Sequence, residues 1–568
     1  YIIKKDGTKE PFNADKIVRA VNKSASRVMY SFAPEEIDFL CKYATEQAET
    51  LGKKRKDGIF IQDMHNIVEG ALEQVNPAVA KSYRDYRNYK VDFIHMMDEV
   101  YTKSQSIRYI GDKSNANTDS ALVATKRSLI FNELNKELYR KFFMNRNELQ
   151  ACKDGYIYIH DQSARLDTMN CCLFDVASVL KDGFEMGNVW YNEPKTLDTA
   201  FDVMGDIILS TAAQQYDKYH EEFLEYTDAS WSGREERAEK YAWEKVCRDC
   251  DQGWQGIEYK LNTVGSSRGD YPFVTVTLGL GTSRFEKMIS VSLLNVHKEG
   301  QGKKGHKKPV LFPKIVFLYD KNIHDPGCEC EDVFEAGVAC SAKTMYPDWL
   351  SMSGEGYISS MYKKYKKVIS PMGCRAFLSP WYERGGMEPA DENDVPVFVG
   401  RFNIGAVSLH LPMILAKSRA ENRDFYEVLD FYLEMIRGLH KRTYDYLGEM
   451  RASTNPLAYC EGGFYGGHLK PGDKIRPLLR PMTASFGITA LNELQELYNG
   501  KSITEDGEFA LEVLKYINKK IDVYKKEDQI LYAIYGTPAE SLCGLQVEQF
   551  RKMFGIVRGV SDRPYVSN

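Results

Sequence analysis

Residues 370–378 read SPMGCRAFL, in which a proline and a glycine precede the lone thiol of Cys374. Residues 170–175 read NCCLFD and carry the adjacent pair Cys171 and Cys172. Free cysteine is among the most buried residue types, so a cysteine by itself is more often a small core residue than a reagent. Neither segment can be given a chemical role without the rest of the chain.

The composition is that of a large globular protein without a polyanionic partner. The chain has 568 residues, which exceeds one ordinary core and favours a large domain with one or two smaller ones. A net charge of −5 provides no basic surface for nucleic acid. No apolar run approaches the roughly twenty residues of a membrane span, and the N-terminus has no signal-peptide pattern. We therefore expect a cytoplasmic protein.

The cysteines predict neither a disulfide scaffold nor a metal site. Twelve cysteines are too few to staple a chain of this length. Cys247 and Cys250 form a single CxxC pair, and Cys328 and Cys330 stand apart from it, so the second pair of a typical zinc site is missing. We expect reduced thiols and no metal ligands in this sequence.

Residues 1–92 predict a compact αβ module. A short apolar strand at residues 1–5 is followed by the turn signal Asp-Gly, and helical patterns are predicted at residues 14–21, 34–49, 61–75 and 77–89. Lysines beside a glycine turn supply cationic donors, and a helix start supplies free N–H groups, which together suit phosphate. By these signals alone, the module is predicted to be a small regulatory or docking domain.

Residues 93–568 predict an α/β domain with a mostly parallel sheet, because short apolar strands alternate with long amphipathic segments. The predicted strands are residues 155–160, 273–278, 310–318 and 405–409, and the longest helical segments are residues 424–447 and 506–526. The basic run at residues 300–308 does not have Gly, Lys and Ser/Thr in the order that a P-loop requires. An exposed loop is therefore predicted there.

The two cysteine segments, in this order, resemble the active-site cysteines of the anaerobic (class III) ribonucleoside-triphosphate reductases, which are glycyl-radical enzymes. The resemblance covers essentially the whole chain. It implies that residues 93–568 form the ten-stranded α/β barrel of ribonucleotide reductases and glycyl-radical enzymes. It also implies that ribonucleoside triphosphates are converted to deoxyribonucleoside triphosphates with formate as reductant. Acid–base chemistry cannot break the C3′–H bond of ribose, so a thiyl radical must remove that hydrogen.

The same resemblance implies roles for individual residues. Cys374 matches the thiyl position, and Cys171 matches the cysteine on the opposite face of the substrate. Cys172 has no matching role and is expected to be packed. Asn403 matches an asparagine near the ribose hydroxyls, where an amide can donate and accept without ionising. Residues 483–487 precede a predicted helix and are a second candidate for phosphate contact. The helix start that resembles the family's phosphate-binding segment contains Thr537, Ala539, Glu540 and Ser541.

Residues 1–92 resemble the ATP-cone, a small regulatory domain. The positions that match its allosteric nucleotide site are Lys4, Lys5, Glu10, Asn13 and Lys16. The resemblance implies activation by ATP and inhibition by dATP, with Mg²⁺ accompanying the nucleotides.

The family pattern extends past the end of this sequence at Asn568. The resemblance therefore implies a glycyl radical on a residue beyond 568 and Zn²⁺ in a C-terminal domain absent from this sequence. Expected partners are a radical S-adenosylmethionine iron–sulfur activase and a second copy of the chain in a homodimer, with larger oligomers when dATP is bound. Neither nucleic acid nor a membrane is expected as a partner.

Two other functions remain open at this stage. One is another glycyl-radical enzyme, such as an acyl lyase, in which adjacent cysteines carry the radical; the pair Cys171 and Cys172 allows it. An ATP-cone argues against that function, because an acyl lyase has no need to sense ATP. The other is a non-catalytic nucleotide sensor, against which the long α/β remainder argues.

Overall fold

The computed structural model describes residues 1–4, 7–28, 30–55, 58–109, 122–167, 169, 171–180, 183–186, 189–191, 207–263, 271, 273–372, 376–536 and 540–567. The chain divides into two compact units, Tyr1–Ser106 and Ile107–Asn568. Among the described residues, none of the helices combines the length and the apolar character that a membrane-spanning segment requires.

The first unit contains a small three-stranded sheet and helices. Its elements are β1 (Ile2–Ile3), β2 (Lys9–Glu10), α1 (Ala14–Arg27), α2 (Pro34–Lys54), β3 (Ile59–Phe60), α3 (Ile61–Val75) and α4 (Pro77–Tyr109). Strand β1 lies between the other two, antiparallel to β2 and parallel to β3. Apolar side chains such as Val21, Leu40 and Leu72 are fully buried in its core.

Local signals in the sequence explain where these elements begin. The turn between β1 and β2 contains Gly7 at φ +80°, a conformation that glycine adopts without steric cost. Helix α1 begins where predicted, because the side chain of Asn13 accepts a hydrogen bond of 2.8 Å from the N–H of Asp15. Helix α4 continues well past residue 89, where the sequence pattern placed its end. No glycine or proline follows Pro77 before Tyr109, so nothing in the backbone stops it.

The second unit alternates strands and helices. Its strands are β4 (Ile157–Ile159), β5 (Cys171–Cys172), β6 (Phe184–Met186), β7 (Val189–Tyr191), β8 (Thr275–Leu278), β9 (Lys314–Tyr319), β10 (Asp348–Ser351), β11 (Phe402–His410), β12 (Thr483–Thr489) and β13 (Leu531–Gly536). Its helices are α5 (Val123–Phe142), α6 (Arg146–Asp154), α7 (Val176–Leu180), α8 (Ile207–Glu225), α9 (Arg234–Thr263), α10 (Arg284–Glu299), α11 (Lys321–His324), α12 (Glu331–Thr344), α13 (Tyr357–Tyr365), α14 (Leu411–Ala420), α15 (Phe425–Gly448), α16 (Pro456–Tyr459), α17 (Leu491–Asn499), α18 (Glu508–Asp528) and α19 (Glu540–Phe554).

The strands of this unit form separate small sheets. Strands β8, β9 and β10 form a parallel sheet, and β11, β12 and β13 are the parallel part of a second sheet. Strands β4 and β5 both pair antiparallel with β11. The mixed α/β class is therefore confirmed. The described strands do not close into the ten-stranded barrel that the resemblance implied, because these sheets remain open.

The main core lies against one face of the β11–β13 sheet. Phe402 and Phe486 on the strands pack with helix α15, which contributes Leu433 and Ile436. Residues 483–487 belong to strand β12 in the middle of this sheet, and α17 begins shortly after it at Leu491, so the segment does lie before a helix. The segment is a strand because every second residue of it is apolar or small and meets the core.

A buried carboxylate joins the C-terminus of α18 to α15. Asp528 accepts hydrogen bonds from Arg437 (2.6 and 2.7 Å), Lys441 (2.8 Å) and the hydroxyl of Tyr532 (3.0 Å). Its side chain is only 2% exposed. Burial alone would raise the pKa of Asp528, but these donors lower it to about 2.

We predict that Asp528→Asn lowers the free energy of unfolding at pH 7 by about 2 kcal/mol. Because folding lowers this pKa, the stabilisation is present above the unfolded value of about 3.9 and is lost as the pH falls towards 2. Thermal melting followed by circular dichroism should show a lower midpoint at pH 7 and a smaller difference at pH 3. Asp445, an exposed partner of Arg476, provides the control, and Asp445→Asn should change the midpoint little. Equal midpoints for Asp528→Asn and the unchanged chain at pH 7 would contradict this account.

Candidate active site

Strands β11 and β12 present a row of polar side chains on the face away from the main core. Side chains alternate between the two faces along each strand, except at the register shift between Asn403 and Gly405, which inserts one extra residue into β11. Phe402, Ile404, Ala484 and Phe486 belong to the core. The opposite face carries Asn403, Ser408, Thr483, Ser485 and Thr489, all of them buried. Buried polar groups require hydrogen-bond partners, so a buried polar face is typical of a site for a polar ligand. We refer to these five residues as the polar face.

Cys171 lies directly beside the polar face. In the antiparallel ladder of β5 and β11, Cys171 is opposite Asn403, and Cys172 is opposite Phe402. Directly opposed residues point to the same face, with their Cβ atoms about 5 Å apart. The ladder therefore places a thiol and an amide side by side, although they are distant in sequence. Cys171 is half-buried, so its thiol borders accessible space.

Cys172 points to the other side of β5, and the expectation that it is packed was wrong. It is exposed, because β5 is short and pairs with a strand on one side only. Neighbouring protein still restricts the water around it, and this desolvation raises the pKa of its thiol to about 11. Its position separates it from the face that carries Asn403.

Asn403 is fixed in orientation by two hydrogen bonds. Its amide N–H donates to Oγ of Ser485 (2.7 Å), and its Oδ1 accepts from the N–H of Gly405 (2.9 Å). The second contact spans a shift in register between β11 and β12 at Ile404. A carboxamide has two N–H groups and two acceptor lone pairs, so it can also bind a ligand. Asn403 thus combines a fixed position with spare hydrogen-bonding capacity.

A buried arginine supports this part of β11. Arg165 donates from Nη1 to the carbonyl of Ala406 (3.2 Å) and from Nη2 to Nδ1 of His440 (3.1 Å). His440 Nε2 in turn donates to the carbonyl of Ser485 (3.0 Å). Burial lowers the pKa of Arg165, and that of His440 falls well below its usual range, also because of burial. His440 is therefore neutral, and its two ring nitrogens have fixed roles as acceptor and donor.

Several residues singled out in the sequence lie outside the described residues: Lys5, Cys374, Thr537 and Ala539. The flanks of Cys374 are described, and the N–H of Met372 donates to the carbonyl of Ala376 (2.9 Å). Glu540 and Ser541 are the first two residues of α19, which follows the C-terminal end of β13. A helix start in that position is consistent with the expected phosphate site.

The described cone residues are close together in the first unit. Glu10 pairs with Lys4 at 2.5 Å and also with Lys16. Hydrogen bonds from Lys16, and to a lesser extent from Lys4, lower the pKa of Glu10. Asn13 lies between them in sequence and caps α1 through the N–H of Asp15. The structure therefore brings Lys4, Glu10 and Lys16 into one cluster.

Comparison with known proteins decides the family. A model of the anaerobic ribonucleoside-triphosphate reductases matches residues 114–568, and a model of the ATP cone domain matches residues 1–91. The chain belongs to the anaerobic ribonucleoside-triphosphate reductases. It is therefore an oxidoreductase, and the alternatives of an acyl lyase and a non-catalytic sensor are excluded.

Named relatives support this assignment along the whole chain. The anaerobic ribonucleoside-triphosphate reductase of Haemophilus influenzae is 29% identical, over 100% of this chain and 81% of its own length. The enzyme of Enterobacteria phage T4 is 30% identical, over 80% of this chain and 75% of its own length.

A solved structure shows the same fold. The anaerobic ribonucleotide reductase from Thermotoga maritima with glycerol in its active site has a TM-score of 0.55 at 14% identity, covering 83% of this chain and 79% of its own. A second structure of that enzyme, in complex with dATP and CTP, has a TM-score of 0.51 at 13% identity, covering 83% of this chain and 80% of its own.

Two supporting residues of this candidate site, Arg165 and His440, carry no motif of their own and were not found from the sequence. Thr483 and Ser485 lie within residues 483–487, which were considered from the sequence only as a candidate for phosphate contact. The alternation of small polar residues with apolar ones in residues 483–489, TASFGIT, was an available signal for a strand with one polar face. Nothing in the sequence pairs Arg165 with β11, because that contact joins distant parts of the chain.

We predict that Gly405→Ala destabilises this unit by about 2 kcal/mol and lowers reductase activity. A Cβ at this position would lie 2.3 Å from Nη1 of Arg165, and that guanidinium is held at both ends in the interior. Gly438 in α15 is the control, since the nearest atom to a Cβ there is 3.7 Å away. Gly438→Ala should be neutral or stabilising by about 0.5–1 kcal/mol. Thermal melting and deoxynucleotide formation measure both effects, and an unaltered Gly405→Ala variant would refute the role of Arg165.

Proposed function

We propose that this chain reduces ribonucleoside triphosphates by radical chemistry on the polar face, under the control of ATP and dATP in the first unit. The observation that carries this proposal is the pairing of Cys171 with Asn403 on a buried polar face. The overall reaction is ribonucleoside triphosphate plus formic acid giving deoxyribonucleoside triphosphate, carbon dioxide and water. Formate supplies the two electrons that replace the 2′-hydroxyl with hydrogen.

Each residue has a defined task in this proposal. Cys374, as a thiyl radical, removes the hydrogen atom from C3′ of the ribose and becomes a thiol. Cys171, on the opposite side of the ribose, protonates the departing 2′-hydroxyl, which leaves as water. Asn403 hydrogen-bonds the ribose hydroxyls and fixes their position, which is supported by its two contacts within the protein. At the end of the cycle the hydrogen returns to C3′ from Cys374.

The triphosphate occupies the start of α19 in this proposal, with Thr537, Ala539, Glu540 and Ser541 around it. Asn403 on β11 is paired with Thr483 on β12, which is in turn paired with Leu531 on β13. Gly536 lies five residues further along β13. At about 3.3 Å per residue, roughly 17 Å separates the two levels. The difference in level supports assigning the ribose and the phosphates to different parts of the sheet.

We further propose that the β8–β10 and β11–β13 sheets are parts of the ten-stranded barrel typical of this family. Their parallel strands and the shared fold of the Thermotoga maritima enzyme support this. The initiating radical belongs to a glycine made radical by an iron–sulfur activase that uses S-adenosylmethionine, and Zn²⁺ holds the domain that carries this glycine. A homodimer is the proposed catalytic assembly, with larger oligomers when dATP is bound.

Residues 1–92 regulate the enzyme in this proposal. ATP and dATP compete for Lys4, Lys5, Glu10, Asn13 and Lys16, and Mg²⁺ accompanies the nucleotide. The clustering of Lys4 and Lys16 supports a site for a polyanion. ATP and dATP must stabilise different states of the enzyme, because a ligand with equal affinity for two states shifts neither.

We predict that Cys171→Ser and Cys374→Ser both abolish deoxynucleotide formation without loss of the fold. Serine cannot replace Cys374, because its O–H bond is much stronger than S–H, and it cannot replace Cys171 as a proton donor, because an alcohol is a far weaker acid than a thiol. Cys172→Ser is the matched control and should remain active, since Cys172 points away from Asn403. The assay is deoxynucleotide production by the activated enzyme under strict anoxia. An inactive Cys172→Ser together with an active Cys374→Ser would overturn these assignments.

We predict that the double variant Lys4→Ala, Lys16→Ala binds ATP and dATP at least about tenfold more weakly and escapes inhibition by dATP. Each lysine supplies a charge-assisted hydrogen bond, which contributes about 1.5–3 kcal/mol. Lys23, an exposed lysine further along α1, is the control, and Lys23→Ala should bind both nucleotides normally. Isothermal titration calorimetry measures the affinities. Unchanged binding in the double variant would exclude this cluster as the nucleotide site.

A further inference from the structure

Arg401 is a fully buried arginine whose guanidinium is mostly unpartnered. The residue is 1% exposed, and its Nε donates to the carbonyl of Pro481 (2.7 Å). Its Nη1 and Nη2 have no hydrogen-bond partner in the part of the chain that the structure describes. Buried donors are normally paired, and a buried charge is costly unless an anion accompanies it. The arrangement is therefore incomplete without a ligand.

The position of Arg401 joins it to the polar face. Arg401 lies two residues before Asn403, and alternate residues of a strand share a face. Its neighbour Phe402 belongs to the main core on the opposite face. The backbone of Leu173 bonds to the carbonyl of Arg401, just as Cys171 is opposite Asn403. The hydrogen bond from Leu173 N–H to the Arg401 carbonyl thus continues the pairing of β5 and β11 by one residue beyond the ends of both strands.

The surroundings of Arg401 supply no counter-charge. Burial lowers the pKa of its guanidinium to about 10, and no acidic group among the described residues offsets that burial. The guanidinium nevertheless remains charged at neutral pH. A guanidinium edge with two free N–H groups matches the two oxygens of a carboxylate.

The guanidinium of Arg401 lies at the opposite end of the sheet from the proposed site for the triphosphate of the substrate. The proposed phosphate site follows the C-terminal end of β13, whereas Arg401 precedes the N-terminal end of β11. These strands run in the same direction on either side of β12, so the two sites lie on opposite sides of the Cys171–Asn403 pair. A nucleotide with its ribose at that pair and its phosphates at α19 leaves Arg401 free. The remaining anion of the reaction is the carboxylate of the reductant.

We propose that Arg401 binds the small carboxylate that reduces the enzyme, and so holds formate beside Cys171 and Asn403. This inference rests on the proposed function for the identity of the carboxylate. Arg401 acts as a binding residue here: its two free N–H groups pair with the two oxygens of formate, which leaves the C–H bond directed away from the guanidinium. The ribose and the reductant are then held next to each other, at Asn403 and at Arg401.

The test compares Arg401→Met and Arg401→Lys with the unchanged enzyme. Arg423, an exposed arginine before α15, gives the control variant Arg423→Met. Binding of formate to the non-activated enzyme is followed by saturation-transfer nuclear magnetic resonance of its proton. Acetate, a larger carboxylate, shows whether the site accepts only the smallest carboxylate. Steady-state assays of the activated enzyme give KM for formate and for the nucleotide separately. Thermal melting shows whether Arg401→Met, which removes an unpaired buried charge, is folded.

We expect Arg401→Met to lose the formate signal and to raise KM for formate at least tenfold, with KM for the nucleotide within threefold of the original. Arg401→Lys should show an intermediate effect, because lysine keeps the positive charge but lacks the planar guanidinium with its paired N–H donors. Unchanged formate binding in a folded Arg401→Met would overturn the proposal. A selective loss of nucleotide affinity would also overturn it, since phosphate would then be the anion. If the unchanged enzyme binds formate through Arg401 but forms no deoxynucleotide, the site stands and the proposed function fails.

Discussion

The hydrogen bonds of Arg165 to β11 and to His440 are the constraint on which the polar face depends. The guanidinium occupies the space where a side chain at position 405 would lie, so only glycine fits there. The N–H of Gly405 is then free to bond the side chain of Asn403. A change at Arg165 would therefore reach the side-chain amide of Asn403 through the backbone of Gly405.

The same network is insensitive to pH near neutrality. Arg165 can only donate, so Nδ1 of His440 must accept and Nε2 must carry the proton. Burial keeps His440 from gaining a second proton, because its pKa lies well below the usual range. The radical reaction proposed for Cys171 and Cys374 would need both thiols to be held in a defined geometry. A scaffold that does not titrate is suited to that chemistry.

The positions of individual helices and strands could be predicted from the sequence, but the contacts that bring the site residues together could not. The cap at Asn13 and the periodicity of residues 61–75 place α1 and α3 correctly, because caps and amphipathic repeats act over a few residues. The position at which α4 ends was predicted too early, at residue 89. No glycine or proline follows Pro77 before Tyr109, so the sequence contains no residue that marks the end of this helix. Family resemblance marked Cys171 and Asn403, but only the register of β5 on β11 makes them neighbours. Register is set by tertiary packing, which a single sequence does not display.

The ion pairs of Glu10 have a consequence for how the first unit meets a nucleotide. Lys4 and Lys16 repel each other, and the carboxylate between them holds them together while no ligand is present. At the proposed nucleotide site, a triphosphate would meet two ammonium groups that are already close together, so less conformational entropy would be lost on binding. It must also displace the carboxylate, so the measured affinity is the difference between two sets of ion pairs. In the proposed site, Glu10 would thereby preorganise the two lysines and at the same time moderate the affinity of the cluster for nucleotide.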